Sequence, residues 1–163
     1  MMLPEAVTLI PSFLGWKELG FYDTYYPLIV PSFFGGGIFN IFLLRQFYMS
    51  IPKDFDEAAF VDGAGYFQIY WRIILPLSRS AVIVVALFTF LGTWNDFMGP
   101  LIYLKSDSRF TLALGLQMFQ GSYSAQWDLL MAASAVVILP CVVIFLLGQR
   151  YFLEGITLTG LKG

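Results

Sequence analysis

Three stretches of this chain run almost free of charge for the length that a lipid bilayer demands. Residues 24–44 hold no Asp, Glu, Lys or Arg between Asp23 and Arg45. Residues 80–104 hold one acid, Asp96, and residues 129–149 hold none between Asp128 and Arg150. A helix that crosses the hydrocarbon core needs about 20 mostly apolar residues. Each stretch meets that length. A fourth apolar stretch, residues 1–16, is too short to span and carries Pro4 and Pro11. It reads as the end of a helix that began upstream. The expectation is an all-α, polytopic transmembrane helical bundle over residues 1–163, with three full spans and a stub.

Composition supports a bilayer as the solvent. Charged residues make up 12% of the chain, against roughly 25% in soluble domains, and the mean hydropathy is +0.74. The formal net charge of −2 offers no basic surplus to neutralise nucleic-acid phosphates. The absence of histidine removes Ser-His-Asp triads and most zinc sites. Cys141 is the single cysteine, so no intrachain disulfide forms. With no acid/base pair, metal cluster or activated nucleophile, the chain does not read as an enzyme. No metal and no cofactor is expected.

Sidedness follows from the basic residues. Arg45, Lys53, Arg72 and Arg79 lie between the first two spans, and Arg150 and Lys162 follow the third. Lys17, Lys105 and Arg109 fall on the other side. The positive-inside rule then sets residues 45–79 and the C-terminus in the cytoplasm and residues 105–128 outside.

The loop over residues 50–76 is the most informative stretch. Ser50 is expected to cap a helix whose first turn holds Pro52. Asp54, Asp56 and Glu57 follow, where the helix dipole favours negative charge. Phe55, Ala58, Ala59 and Asp62 share one face by their spacing. Asp62-Gly63 reads as a helix stop, with Gly63 taking the left-handed conformation. A second short helix is expected over residues 66–74, ending at Leu75-Pro76. Small side chains at Ala58 and Ala59 let another surface approach the backbone. The alternative is a loop lying on lipid headgroups.

Glu57-Ala58-Ala59, Gly63 and Ile73-x-Leu75-Pro76 specify seven residues over 20 positions. Together they resemble the EAA motif of bacterial ABC-importer permeases. Further segments are similar to the carbohydrate branch, the maltose-permease-G-like subunits. These include Phe42-Leu43-Leu44-Arg45-Gln46-Phe47, Thr93-Trp94-Asn95-Asp96-Phe97, Phe119-Gln120-Gly121 and the ending Gly160-Leu161-Lys162-Gly163. The resemblance implies a permease subunit of an ATP-driven importer of a sugar, oligosaccharide or polyol derivative in the bacterial inner membrane. It implies that Glu57, Ala58, Ala59, Asp62, Gly63, Ile73, Leu75 and Pro76 form the coupling element that docks on the ATPase. It also implies four kinds of partner: a second permease subunit, an ABC ATPase dimer, an extracytoplasmic sugar-binding protein and membrane lipid. ATP would be bound by the ATPase partner, since this chain has no Gly-x-x-x-x-Gly-Lys-Ser/Thr motif. Family members usually have six spans, so the resemblance implies that this sequence corresponds to the last three and the end of the third. A small three-span channel and a non-transporting truncated remnant are the alternatives.

Asp96 sits sixteen residues past Ser80, about 24 Å along a helix at 1.5 Å per residue. That depth is the outer leaflet of a core about 30 Å thick. Trp94, Asn95 and Asp96 offer an aromatic face and polar edges, suited to lining a sugar path; the alternative is an anchored, solvated helix end. Ser32, Gly36 and Asn40 recur every four residues, which suits close helix packing. Pro31 and Pro140 are expected to bend their spans. The tail, residues 151–163, reads by composition as a frayed terminus. By resemblance, Gly155, Lys162 and Gly163 reach between the ATPase subunits.

Overall fold

The structure, a computed structural model, describes residues 5–34, 37–119 and 126–160, with side chains from residue 7 to residue 149 of these. All regular structure among them is helical, which agrees with the all-α expectation. The α-helices are α1 (Glu5–Glu18), α2 (Tyr26–Phe33), α3 (Ile38–Ser50), α4 (Asp54–Val61), α5 (Tyr66–Ile69), α6 (Leu75–Leu77), α7 (Arg79–Trp94), α8 (Met98–Tyr103), α9 (Leu112–Gly115) and α10 (Trp127–Gly160). The segments Tyr26–Ser50 and Trp127–Gln149 are long and apolar enough to cross a membrane.

The middle span departs from expectation. Helix α7 has 16 residues and stops at Trp94 instead of running to residue 104. The run counts as a span only when Tyr66–Leu77 is joined to it across a 73° bend. Pro100 explains the stop. In a continuous helix its ring would strike the carbonyl of Asp96 and leave that carbonyl without a donor. The chain therefore breaks at residues 95–97, and Pro100 falls in the first turns of α8, where no donor is required of it. Pro11, by contrast, lies inside α1 and does not end it.

Two compact units divide the chain. The first comprises Met1–Gly36 and Gly92–Pro140; the second comprises Gly37–Leu91 and Cys141–Gly163. In the second unit, α3 meets α7 through Asn40 Nδ2, which donates to Thr89 Oγ1 at 2.9 Å. Phe39 and Phe88 pack edge to face beside it, centroids 5.9 Å apart. The small-or-polar spacing thus yields a contact at Asn40, while Gly36 lies outside the described residues. Gly148 is buried, and a side chain there would strike Leu87. Glycine is what allows α10 to approach α7 in this unit. Helix α10 runs 34 residues, through Pro140. The apolar segment ends at Gln149, yet the helix continues to Gly160. The backbone at Gly155 is therefore helical, not frayed; Lys162 and Gly163 lie outside the described residues.

In the first unit, Asp23 ties two distant turns together. Its carboxylate accepts the amide N–H groups of Lys105 (2.8 Å) and Ser106 (3.0 Å) and the Ser106 hydroxyl (2.6 Å). Arg109 stands 3.6 Å away, and the Asp23 N–H donates to the Tyr103 carbonyl at 2.9 Å. Asp23 adopts φ 56°, a region where Asp and Asn are the tolerated non-glycine residues. The Tyr25 hydroxyl donates to the Arg109 carbonyl at 3.0 Å and closes the same corner. The hydroxyl and amide donors of Ser106, then the Lys105 amide and Arg109, lower the Asp23 carboxyl from 3.8 to about 2. A carboxyl lowered on folding stabilises the folded corner above its ordinary pKa. That contribution is lost as pH falls through about 4 toward 2. The expected outcome is that amide protection factors at Lys105 and Ser106 fall across this window. Asp23→Asn, which keeps the backbone conformation accessible, should show reduced protection at neutral pH and a flat profile. Wild-type protection that stays constant down to pH of about 2 would overturn the assignment.

Candidate functional site

Helix α4 carries Glu57, Ala58 and Ala59 of the loop residues singled out above, and its C-terminus is built as expected. Asp62 is the last half-helical residue, and Gly63 follows at φ 79°. The Gly63 N–H donates to the Phe60 carbonyl at 3.0 Å and the Ala64 N–H to the Ala59 carbonyl at 2.9 Å. This crossed pair is the Schellman motif, and it ends the helix in one defined conformation. The N-terminus differs from expectation. Ser50 ends α3, and its hydroxyl turns back to the Phe47 carbonyl at 2.7 Å. Helix α4 starts at Asp54, with Lys53 in the capping position and no side-chain cap. The first-turn acids Asp54, Asp56 and Glu57 supply the complementary charge there instead.

The eight loop residues do not share one surface. Glu57, Ala58, Asp62, Gly63 and Pro76 are exposed, Ile73 and Leu75 are half-buried, and Ala59 is buried. Ala59 is therefore part of the helix's own support, while Glu57 and Ala58 face out. Three exposed apolar residues escaped the sequence reading: Val61 (88%), Tyr66 (82%) and Phe67 (78%). They flank Gly63 on both sides of the turn. Their signal was an apolar residue on either side of Asp62-Gly63, in a loop otherwise expected to be wet.

The second loop helix extends to Leu77 and contains a π turn, Tyr70–Ile74. There the Leu75 N–H donates to the Tyr70 carbonyl, five residues back. Pro76 cannot donate to Arg72, and the wider turn accommodates the missing bond. Ser78 closes the run. It is fully buried, and its hydroxyl donates to the Ile74 carbonyl.

The structure separates Trp94 from Asp96. The Trp94 Nε1–H donates to the Val137 carbonyl at 3.1 Å, which turns the indole toward α10. Asn95 is exposed. Asp96 lies in the break between α7 and α8, and its Oδ1 accepts the Gly99 N–H at 3.1 Å. It lines a cavity of 560 Å³ in the first unit together with Thr8, Ser12, Trp16, Pro31 and Tyr103, among others. Sequence reasoning missed Thr8, Ser12 and Trp16, because nothing local connects α1 to residue 96. A larger cavity of 670 Å³, in the second unit, is lined by apolar residues such as Ile83, Phe90 and Ile144. It has no side-chain polar group to orient a ligand, so the Asp96 cavity is the better candidate. Among the described residues no acidic, His or Cys cluster is arranged to hold a metal.

Repeated apolar spanning segments joined by an exposed helix–turn–helix define a polytopic helical membrane protein. Over residues 1–157 the chain matches the family described as binding-protein-dependent transport system inner membrane component, and it belongs to that family. It is 36% identical over 163 residues to the arabinooligosaccharides transport system permease protein AraQ of Bacillus subtilis (strain 168), covering 100% of this chain and 57% of that protein. It is 34% identical over 158 residues to the sn-glycerol-3-phosphate transport system permease protein UgpE of Yersinia pestis, covering 96% and 56%. A solved structure, that of a bacterial ABC transporter involved in the import of the acidic polysaccharide alginate, matches with a TM-score of 0.73 at 25% identity. That match covers 88% of this chain and 55% of the other. The chain thus spans little more than half the length of these relatives. The resemblance carried by the loop motif is borne out at the level of the family.

Gly99 is where the Asp96 break is most tightly packed. A Cβ there would lie 2.5 Å from Asp96 Oδ2 and 3.1 Å from Leu28 Cδ2, whereas one at Gly92 meets nothing within 4 Å. Gly99→Ala is expected to displace the Asp96 carboxylate and destabilise the protein by about 1–3 kcal/mol. Gly92→Ala, inside α7, should be neutral or stabilising by up to about 1 kcal/mol. Thermal unfolding of the two variants in detergent checks the contrast, and equal midpoints would contradict it.

Proposed function

We propose that this chain serves in the membrane pathway of an ATP-driven importer of a sugar, oligosaccharide or polyol derivative. Its partners in this reading are a second permease subunit, an ABC ATPase dimer and an extracytoplasmic sugar-binding protein, all within the bacterial inner membrane. ATP is bound by the ATPase; this chain performs no covalent chemistry and holds no cofactor. The family assignment and the names of AraQ and UgpE, which refer to a saccharide and a polyol phosphate, support the reading. The distribution of basic residues supports a cytoplasmic location for residues 45–79 and for the C-terminus.

The observation that carries the coupling role is helix α4. It presents Glu57 and Ala58 outward and stops at a left-handed Gly63. Val61, Tyr66 and Phe67 stand exposed around that stop. An exposed apolar cluster rimmed by acids suits a partner groove with complementary apolar and basic lining. On this reading Glu57, Ala58, Asp62 and Gly63 touch the ATPase, while Ala59, Ile73, Leu75 and Pro76 hold the element in shape. Gly155, Lys162 and Gly163 form a second ATPase contact at the C-terminal end.

The test is Glu57→Lys in the assembled transporter. Charge reversal at a docking contact costs enough that coupled uptake should fall by about tenfold at unchanged subunit abundance. ATP hydrolysis should lose its dependence on substrate. Wild-type uptake by this variant would sink the coupling assignment.

A further inference from the structure

The cavity beside Asp96 has a chemical bias that a plain passage would lack. Its volume of 560 Å³ falls in the range of about 300–1,000 Å³ usual for small-molecule sites. Three separate stretches of chain line it, namely α1, α2 and the run from the α7–α8 break into α8. They bring together the Thr8, Ser12 and Tyr103 hydroxyls, the Trp16 indole and one carboxylate, Asp96. Among the described residues no lysine or arginine lines the space.

A sugar ring presents hydroxyls at its rim and C–H groups on its faces. Aromatic rings suit the faces, and hydroxyl and carboxylate oxygens suit the rim. Asp96 Oδ1 accepts one backbone N–H, and an ionised carboxylate has about four acceptor sites. A second anion beside Asp96, without a cation to offset it, is repelled. Specificity built on such repulsion needs no contact to the rejected ligand.

We propose that this cavity is a saccharide subsite that admits uncharged sugars and rejects acidic ones, with Asp96 setting the selection. This rests on the importer reading above and adds the charge class of its cargo.

Two measurements on the assembled transporter in membrane vesicles test it. In a Cys141→Ser background, Ser12→Cys is labelled with a cationic and an anionic methanethiosulfonate of equal size. Each rate is divided by the rate of the same reagent with a small free thiol. A cavity of one sign enriches its counter-ion, so the cationic reagent should lead by about tenfold. Asp96→Asn should abolish that lead, and Asp96→Glu should keep it. Equal normalised rates at wild-type Asp96 would overturn the proposal. In parallel, uptake of arabinotriose and maltotriose is compared with uptake of trigalacturonate and sn-glycerol-3-phosphate. Neutral sugars should enter at least about ten times faster, with the gap narrowed by Asp96→Asn. Acidic uptake that matches neutral uptake in the wild type would also overturn it. If no saccharide enters but labelling still depends on Asp96, the charge selection stands and the sugar-importer reading falls.

Discussion

In hydrocarbon, a backbone N–H or C=O that leaves a helix finds no water to bond. Backbone groups buried in protein face the same demand, and it bears on what stands at each break in this chain. Between α6 and α7 the break is at Ser78, which is fully buried. Its N–H reaches the Ile74 carbonyl at 3.0 Å, and its own carbonyl receives the Val82 N–H at 2.9 Å. Between α7 and α8 the break is at Asp96, whose carboxylate takes the Gly99 N–H. Near α2 the turn at Asp23 gives its carboxylate to the amides of Lys105 and Ser106. Ser78, Asp96 and Asp23 thus each stand where the backbone stops being a regular helix. The candidate cavity follows from this rule, because the group that satisfies the α7–α8 break also lines it.

The readable parts of the sequence were those decided by near neighbours. Asp62-Gly63 predicted a left-handed stop, and the stop is there, because only five or six consecutive residues take part in a Schellman motif. The start of α4 was misread for a related reason. Ser50 suits a cap, but α3 runs on past Arg45 to Ser50, so the hydroxyl finds a carbonyl three residues behind it first. Charge at Arg45 marks the end of an apolar window, not the end of a helix. Hydropathy likewise ran residues 80–104 together, since an average over such a window does not register what Pro100 does to the carbonyl of Asp96.

Contacts between distant segments were beyond reach of a single sequence. Asp23 meets partners 82 and 83 positions away, and Asp96 shares its cavity with side chains from α1. Trp94 and Asp96 are neighbours in sequence, yet the first turns to Val137 and the second to Gly99. Helical spacing grouped Ala58 and Ala59 correctly as small residues but could not say which one is covered. Exposure depends on what lies across from the helix, and periodicity describes only the helix itself.

Helix α7 connects the two places that matter in the proposed importer. It begins after Ser78, at the end of the loop that carries α4, and it ends at the break that holds Asp96. Its 16 residues cover about 24 Å at 1.5 Å per residue. The turn at Gly63 is held by two crossed hydrogen bonds. The 73° bend at Ser78 is held by a buried, bonded residue instead of an open glycine. The π turn Tyr70–Ile74 lies between these joints, and it is the stretch where the regular hydrogen-bond ladder is altered. Within the loop, the irregular ladder is therefore confined to Tyr70–Ile74, between two joints whose hydrogen bonds are complete.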